Sequence, residues 1–164
     1  MTSGESSIQK RLKAWFSDAD KVVVAGVGNP IRKDDAVGIK IVHDLMGKVS
    51  EKVFLIECET VPEGYVDQIV AFKPTHVLLI DAAVLGLKPG ESRFVEPEQL
   101  LAFPAFSTHM LPLRIFCEYV AKMAGAKIAL LLVEPKDASF GEGLTGVVEA
   151  SSQKLVRILL KALP

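Results

Sequence analysis

VVVAGVGNPIRKDDAVG, residues 22–38, indicates the fold of this chain more clearly than any other segment of its sequence. Its apolar start predicts a buried parallel strand, its glycines predict a tight loop, and the apolar spacing that follows predicts a helix. Two adjacent acids, Asp34 and Asp35, stand where that helix begins. Because open α/β sheets bind ligands at the carboxyl ends of their strands, the stretch predicts a site as well as a fold.

Length, charge and cysteine content narrow the class of protein. The 164 residues suit one domain spanning 1–164, with a polar leading segment and a short helix in 1–20. A net charge of −1 gives no electrostatic case for nucleic acid. Cys58 and Cys117 are not at CxxC spacing, which excludes a cysteine zinc site and favours a reducing compartment. The polar start and the short apolar runs lead us to expect a cytoplasmic protein without membrane insertion.

Apolar runs alternate with helical patterns along the rest of the chain. The pattern predicts strands at 22–27, 53–57, 77–80 and 127–133, a short antiparallel edge strand at 92–95, and helices at 8–16, 35–48, 62–74, 111–124 and 147–163. We therefore predict an α/β fold, a three-layer α/β/α sandwich with a mostly parallel five-stranded sheet. Strand order 2-1-3 at its centre would open a crevice between the first and third strands.

A dinucleotide-binding loop is the first alternative for the opening stretch. Its third glycine would fall at position 31, which is Ile31, so no glycine is expected to let the helix approach the strand closely. Asp34 and Asp35 would also face the pyrophosphate with two negative charges. Both features argue against a nucleotide-binding module.

Asp35, Asp81 and His109 are the candidate site residues. Asp81 ends a run of buried apolar residues, so it either caps nearby backbone amides or serves as a ligand or acid–base group. Only one of two adjacent acids can cap the first helix, and we assign Asp34 to the cap and Asp35 to the site. His109 lies in the loop that leads into the helix at 111–124.

Two carboxylates and an imidazole suit Zn, Ni or Fe and leave coordination positions open for a substrate. A serine triad is poorly supported, because the chain has no GxSxG elbow. A carboxylate dyad of the aspartic-protease type stays open as an alternative, although the turn that normally presents such an acid is missing.

Five motifs in the same order resemble the hydrogenase maturation endopeptidases, which trim the C-terminal extension of [NiFe]-hydrogenase large-subunit precursors. The motifs are GVGNPIRKDDAVG (26–38), LLIDA (78–82), GLKPGE (86–91), STHMLPL (107–113) and EPKDASFGEGLT (134–145). The resemblance covers almost the whole chain after residue 20.

The resemblance implies a nickel-dependent endopeptidase whose nickel-recognising site is Asp35, Asp81 and His109. The nickel would be supplied by the substrate and not held tightly by the free enzyme, and the partner would be the large-subunit precursor. The alternative from another class is a non-catalytic nickel- or peptide-binding assembly chaperone that uses the same ligands. The glycine-rich loop at 137–146 would either close over the extension peptide or be a plain connection.

The chain departs from many relatives at two places. Residues 57–60 read ECET where many relatives have Asp-Gly-Gly-Thr, and Glu134-Pro135 replaces a common Gln-Pro. The sequence VPE at 61–63 is more similar to the branch that serves membrane-associated, formate-linked or energy-converting hydrogenases. These departures leave the three proposed ligands in place.

Overall fold

A five-stranded sheet in the order β2-β1-β3-β5-β4 forms the centre of the molecule. The structure is a computed structural model that describes residues 3–102 and 110–164. The strands are β1 Val22–Val27, β2 Val53–Glu59, β3 His76–Ala82, β4 Ser92–Val95 and β5 Lys127–Val133. Four of them run parallel and β4 pairs with β5 in the antiparallel direction. The predicted strand order around β1 and the predicted antiparallel edge strand are both confirmed.

Helices cover both faces of this sheet. In the described residues they are α1 Ser3–Trp15, α2 Val37–Leu45, α3 Val66–Phe72, α4 Met110–Ala124 and α5 Gly146–Ala162. Because successive side chains of a strand point to opposite faces, Val22 and Val24 pack with residues of α1, α2 and α5, while Val23 and Ala25 pack with residues of α3 and α4. The predicted three-layer α/β/α sandwich is confirmed. None of the described helices is long and apolar enough to cross a membrane.

The start of α2 differs from the predicted helix at 35–48. A short 3-10 helix, Lys33–Ala36, comes first, and the α-helix begins only at Val37. Both acids therefore lie in the turn that precedes α2. The reason is tertiary, because the backbone of this turn is hydrogen-bonded to the loop that follows β5.

Glycines do allow α2 to approach the strands closely, although the lack of a glycine at position 31 led us to expect the opposite. A Cβ on Gly38 would overlap the backbone carbonyl of Ile80 on β3, and a Cβ on Gly26 would overlap the carbonyl oxygen of Gly38. The expectation was wrong because the close approach is made inside the helix and not in the loop. It holds the beginning of α2 against the ends of β1 and β3.

Candidate active site

Asp35 and Asp81 line one cavity at the carboxyl edge of the sheet, where β1 and β3 end. Its volume is about 130 Å³. The other lining residues come from the β1 end, the segment after β2, the β3 end and α4: Val27, Gly28, Thr60, Pro62, Glu63, Ala82 and Leu113. The crevice expected from the strand order is therefore present, and it brings the two predicted carboxylates together.

Asp81 is a buried acid whose negative charge is stabilised by few neighbouring groups. It is the second-last residue of β3, and only 6% of its surface is exposed. Its Oδ1 accepts a hydrogen bond of 2.8 Å from the amide of Ala82, as the capping interpretation expected. Burial, and then the negative charge of Asp35, raise the pKa of Asp81 well above 3.8. A cation entering the cavity would offset both effects.

Asp35 is half-buried and is held by the loop that carries it. Its Oδ2 accepts a hydrogen bond of 2.8 Å from the amide of Asn29. Gly28 makes this tight loop possible, because its φ of 148° suits glycine and a Cβ there would overlap the carbonyl oxygen of Asp35. The loop therefore fixes where Asp35 stands at the mouth of the cavity.

Asp34 is not the helix cap that the sequence suggested. The residue before α2 is Ala36, which makes no side-chain cap, and Asp34 is fully buried. Its carboxylate accepts four hydrogen bonds from the loop after β5: the amides of Lys136 (2.9 Å), Asp137 (3.0 Å) and Thr145 (2.7 Å), and the hydroxyl of Thr145 (2.7 Å). The separation of roles between Asp34 and Asp35 stays a prediction, but Asp34 acts as a structural hub and not as a cap.

Backbone contacts extend this junction between the two loops. The amide of Lys33 donates to the carbonyl of Gly141, and the amide of Gly141 donates to the carbonyl of Ile31, both at 3.0 Å. The ammonium of Lys33 also lies 3.0 Å from Asp137. The loop at 137–146 connects β5 to α5 and is bound to the loop that carries Asp35. That it closes over a peptide stays a prediction.

Two further carboxylates were missed by the sequence reasoning about the site. Glu134 is buried directly after β5, and its Oε1 accepts hydrogen bonds of 2.8 Å from the amides of Leu85 and Leu87. Glu63 is exposed and lines the cavity from the 3-10 helix Pro62–Tyr65. For Glu134, the signal was the same as for Asp81, namely an acid that ends a buried apolar run.

His109 lies outside the described residues, so its place in the site stays a prediction. Leu113, four positions further along the chain, does line the cavity. Within residues 3–102 and 110–164, no group of three or more His, Cys, Asp or Glu side chains is placed to hold a metal ion. A metal at Asp35 and Asp81 therefore needs further ligands from elsewhere in the chain or from another molecule.

Comparison with known proteins gives consistent matches over most of the chain. A family model described as hydrogenase maturation protease matches residues 39–162, a span that includes Asp81 and begins after Asp35. The putative hydrogenase maturation protease of Methanocaldococcus jannaschii is 35% identical in an alignment 154 residues long that covers 89% of this chain and 90% of that protein. The Hydrogenase 3 maturation protease of Escherichia coli K12 is 26% identical over 118 residues, 72% of this chain and 75% of that protein.

A solved structure agrees with these sequence matches. The [NiFe] hydrogenase maturation protease HycI from Thermococcus kodakarensis KOD1 has a TM-score of 0.87 to this chain at 32% identity. The match covers 93% of this chain and 98% of that one.

Proposed function

The chain belongs to the hydrogenase maturation protease family, and from this premise we propose that it removes the C-terminal extension of a [NiFe]-hydrogenase large-subunit precursor after nickel has been inserted. The observation that carries the proposal is that Asp35 and Asp81 share one cavity at the carboxyl edge of the sheet. A peptide bond presented at this edge would meet both carboxylates. Hydrolysis requires a group that accepts a proton from the attacking water, and both carboxylates are candidates for that role.

Recognition of nickel in the substrate is the second part of the proposal. Carboxylate oxygens and an imidazole are ligands that a borderline metal such as nickel accepts, and Asp35, Asp81 and His109 are the predicted set. The cavity supports this proposal because burial, and then repulsion from the negative charge of Asp35, raise the pKa of Asp81. A metal bound to the precursor would relieve that repulsion and would polarise the scissile carbonyl or a water.

The proposal predicts that cleavage depends on both acids and on the nickel of the substrate. Purified protein is incubated with nickel-loaded and nickel-free precursor, and the mass of the large subunit is measured over time. Wild type is expected to shorten only the nickel-loaded precursor. Asp35→Asn and Asp81→Asn are expected to slow this by about 100-fold or more, since each removes a carboxyl group that can bind the metal or accept a proton at the site of reaction.

Asp67→Asn is the matched control, because Asp67 is an exposed carboxylate on α3 that does not line the cavity. It should cleave at the wild-type rate. Equal cleavage of nickel-free precursor would rule out nickel recognition. Binding of the precursor without any cleavage would instead favour the non-catalytic assembly chaperone.

A further inference from the structure

Each of the four parallel strands is followed by a loop that exposes one large apolar side chain. The four residues, with their exposed fractions, are Ile31 after β1 (47%), Val61 after β2 (50%), Val84 after β3 (49%) and Phe140 after β5 (72%). Because parallel strands end at the same edge of the sheet, all four loops leave the edge that carries the cavity of Asp35 and Asp81. We call these four residues the apolar rim.

Buried carboxylates hold two of the rim loops in place. Glu134 accepts the amides of Leu85 and Leu87, next to Val84. Asp34 accepts three amides and a hydroxyl from the loop that carries Phe140. These rim side chains are therefore presented by fixed loops, so that a partner binding them has less conformational entropy to remove.

Phe140 is the most exposed large apolar side chain in the described part of the chain. The guanidinium of Arg32, on the loop after β1, lies 5.4 Å from the centre of its ring. This contact and the backbone pairing of Arg32 with Gly141 join two rim loops. A solvent-exposed aromatic ring on a loop that is held in place contributes little to the core, but it is typical of an interaction surface.

The size of the cavity limits how much of a partner it can hold. At about 130 Å³ it is smaller than the pockets of roughly 300–1,000 Å³ that enclose small ligands. It admits only a short piece of polypeptide. A partner whose chain enters this cavity therefore has to cover the edge around it, where the apolar rim lies.

We propose that the apolar rim is the docking surface for the folded body of the large-subunit precursor, while the cavity takes the segment to be cut. This inference rests on the proposed function for the identity of the partner. A second exposed apolar surface is the α4 stripe of Ile115, Tyr119 and Met123, which runs along α4 beside its buried Phe116 and Val120. The rim loops leave the edge of the sheet that carries the cavity, whereas the α4 stripe lies on a helix that covers one face of the sheet.

The test compares rim variants with a variant of the α4 stripe. The rim variants are Phe140→Ser and the double variant Val61→Ser/Val84→Ser, and the matched control is Ile115→Ser/Tyr119→Ser, whose residues are similarly exposed (58% and 52%). Binding to immobilised nickel-loaded and nickel-free precursor is measured as Kd, and cleavage of the nickel-loaded precursor as KM and kcat. Circular dichroism establishes that each variant is folded.

Both rim variants are expected to raise Kd and KM by about tenfold with kcat within about twofold of wild type, the pattern of lost ground-state binding. The rise in Kd should be the same for nickel-free precursor, because rim contacts do not involve the metal. The control should match wild type in all three quantities. If Phe140→Ser does not fold, the double variant gives the same comparison.

Wild-type Kd in the folded rim variants, or an equal loss in the control, would overturn the docking surface. Absence of precursor binding by wild type would overturn it as well. If wild type binds but does not cleave, the proposed function fails and the rim is judged on Kd alone. These outcomes distinguish a failure of the docking surface from a failure of the proposed function.

Discussion

Asp34 and Thr145 are joined by two hydrogen bonds, since the Asp34 carboxylate accepts from both the amide and the hydroxyl of Thr145 at 2.7 Å. Thr145 is the residue that precedes α5, and its side chain is turned to Asp34 instead of capping that helix. The pair therefore links the start of α5 to the turn before α2. Together with the amides of Lys136 and Asp137, it satisfies a carboxylate that is fully buried.

Replacing Asp34 is expected to cost more stability than the loss of a helix cap. Asp34→Ala should lower the free energy of unfolding by about 3 kcal/mol, because it leaves four part-buried donors without their acceptor. Urea unfolding measures the change. Asp44→Ala is the control, since Asp44 forms only a surface pair with Lys40 and should cost less than about 0.5 kcal/mol. A loss of 1 kcal/mol or less for Asp34→Ala would contradict the structural hub.

Gly38→Ala tests the close approach of α2 to the strands. The added methyl would overlap backbone atoms of Ile80 and Val27, which cannot rotate away, so we expect destabilisation of about 3 kcal/mol. Gly64→Ala is the control, because a Cβ at Gly64 meets nothing within 4 Å. Thermal unfolding compares the two variants. Equal midpoints would show that the helix shifts without cost.

We expect His76, at the opposite edge of the sheet, to make the stability of the protein depend on pH. Its ring is buried against Trp15 and Phe16; Nδ1 lies 2.9 Å from the hydroxyl of Thr75 and Nε2 lies 3.2 Å from a carboxylate oxygen of Asp18, which is also paired with Lys127. Burial lowers the pKa of His76 below 6.5, although Asp18 acts in the other direction.

As the pH is lowered, His76 therefore takes up a proton in the unfolded chain before it does so in the folded chain. The contribution of His76 to the free energy of unfolding should be complete above about pH 6.5. It should fall as the pH is lowered from there towards the pKa of His76 in the folded state. His76→Gln should flatten this part of the pH profile in urea unfolding. His43→Gln, which removes an exposed histidine, is the matched control. An unchanged slope in His76→Gln would refute this origin.

Free nickel should bind weakly to the protein. The described residues offer no group of three potential ligands, and the predicted set of Asp35, Asp81 and His109 contains no thiolate. Purified and dialysed protein is therefore expected to contain far less than one nickel per chain by elemental analysis. One tightly held nickel per chain would favour the assembly chaperone over the protease that reads nickel in its substrate.

His109→Ala tests the third predicted ligand. We expect a folded protein that no longer cuts nickel-loaded precursor, because the predicted site loses its only nitrogen donor while both carboxylates stay. Cleavage is followed by the mass of the large subunit and is normalised to the folded fraction. A variant with lower stability but wild-type cleavage per folded molecule would remove His109 from the site.

Local sequence patterns were enough to predict the three layers of the fold and the meeting of two candidate site residues. Buried runs and helical spacing are local patterns, and right-handed crossovers leave few ways to arrange parallel strands. The order of β2, β1 and β3 followed from them, and with it the meeting of Asp35 and Asp81 at one cavity. The first and last residues of the edge strand Ser92–Val95 were also predicted correctly.

Only the tertiary structure decided what the other carboxylates do. The donors to Asp34 lie more than 100 positions away along the chain, and those to Glu134 lie more than 45 away, so no local pattern names them. The fit of Gly38 against Ile80 likewise depends on how closely a helix settles on two strands. Buried charges take whichever donors packing brings to them, and packing joins segments that are remote in sequence.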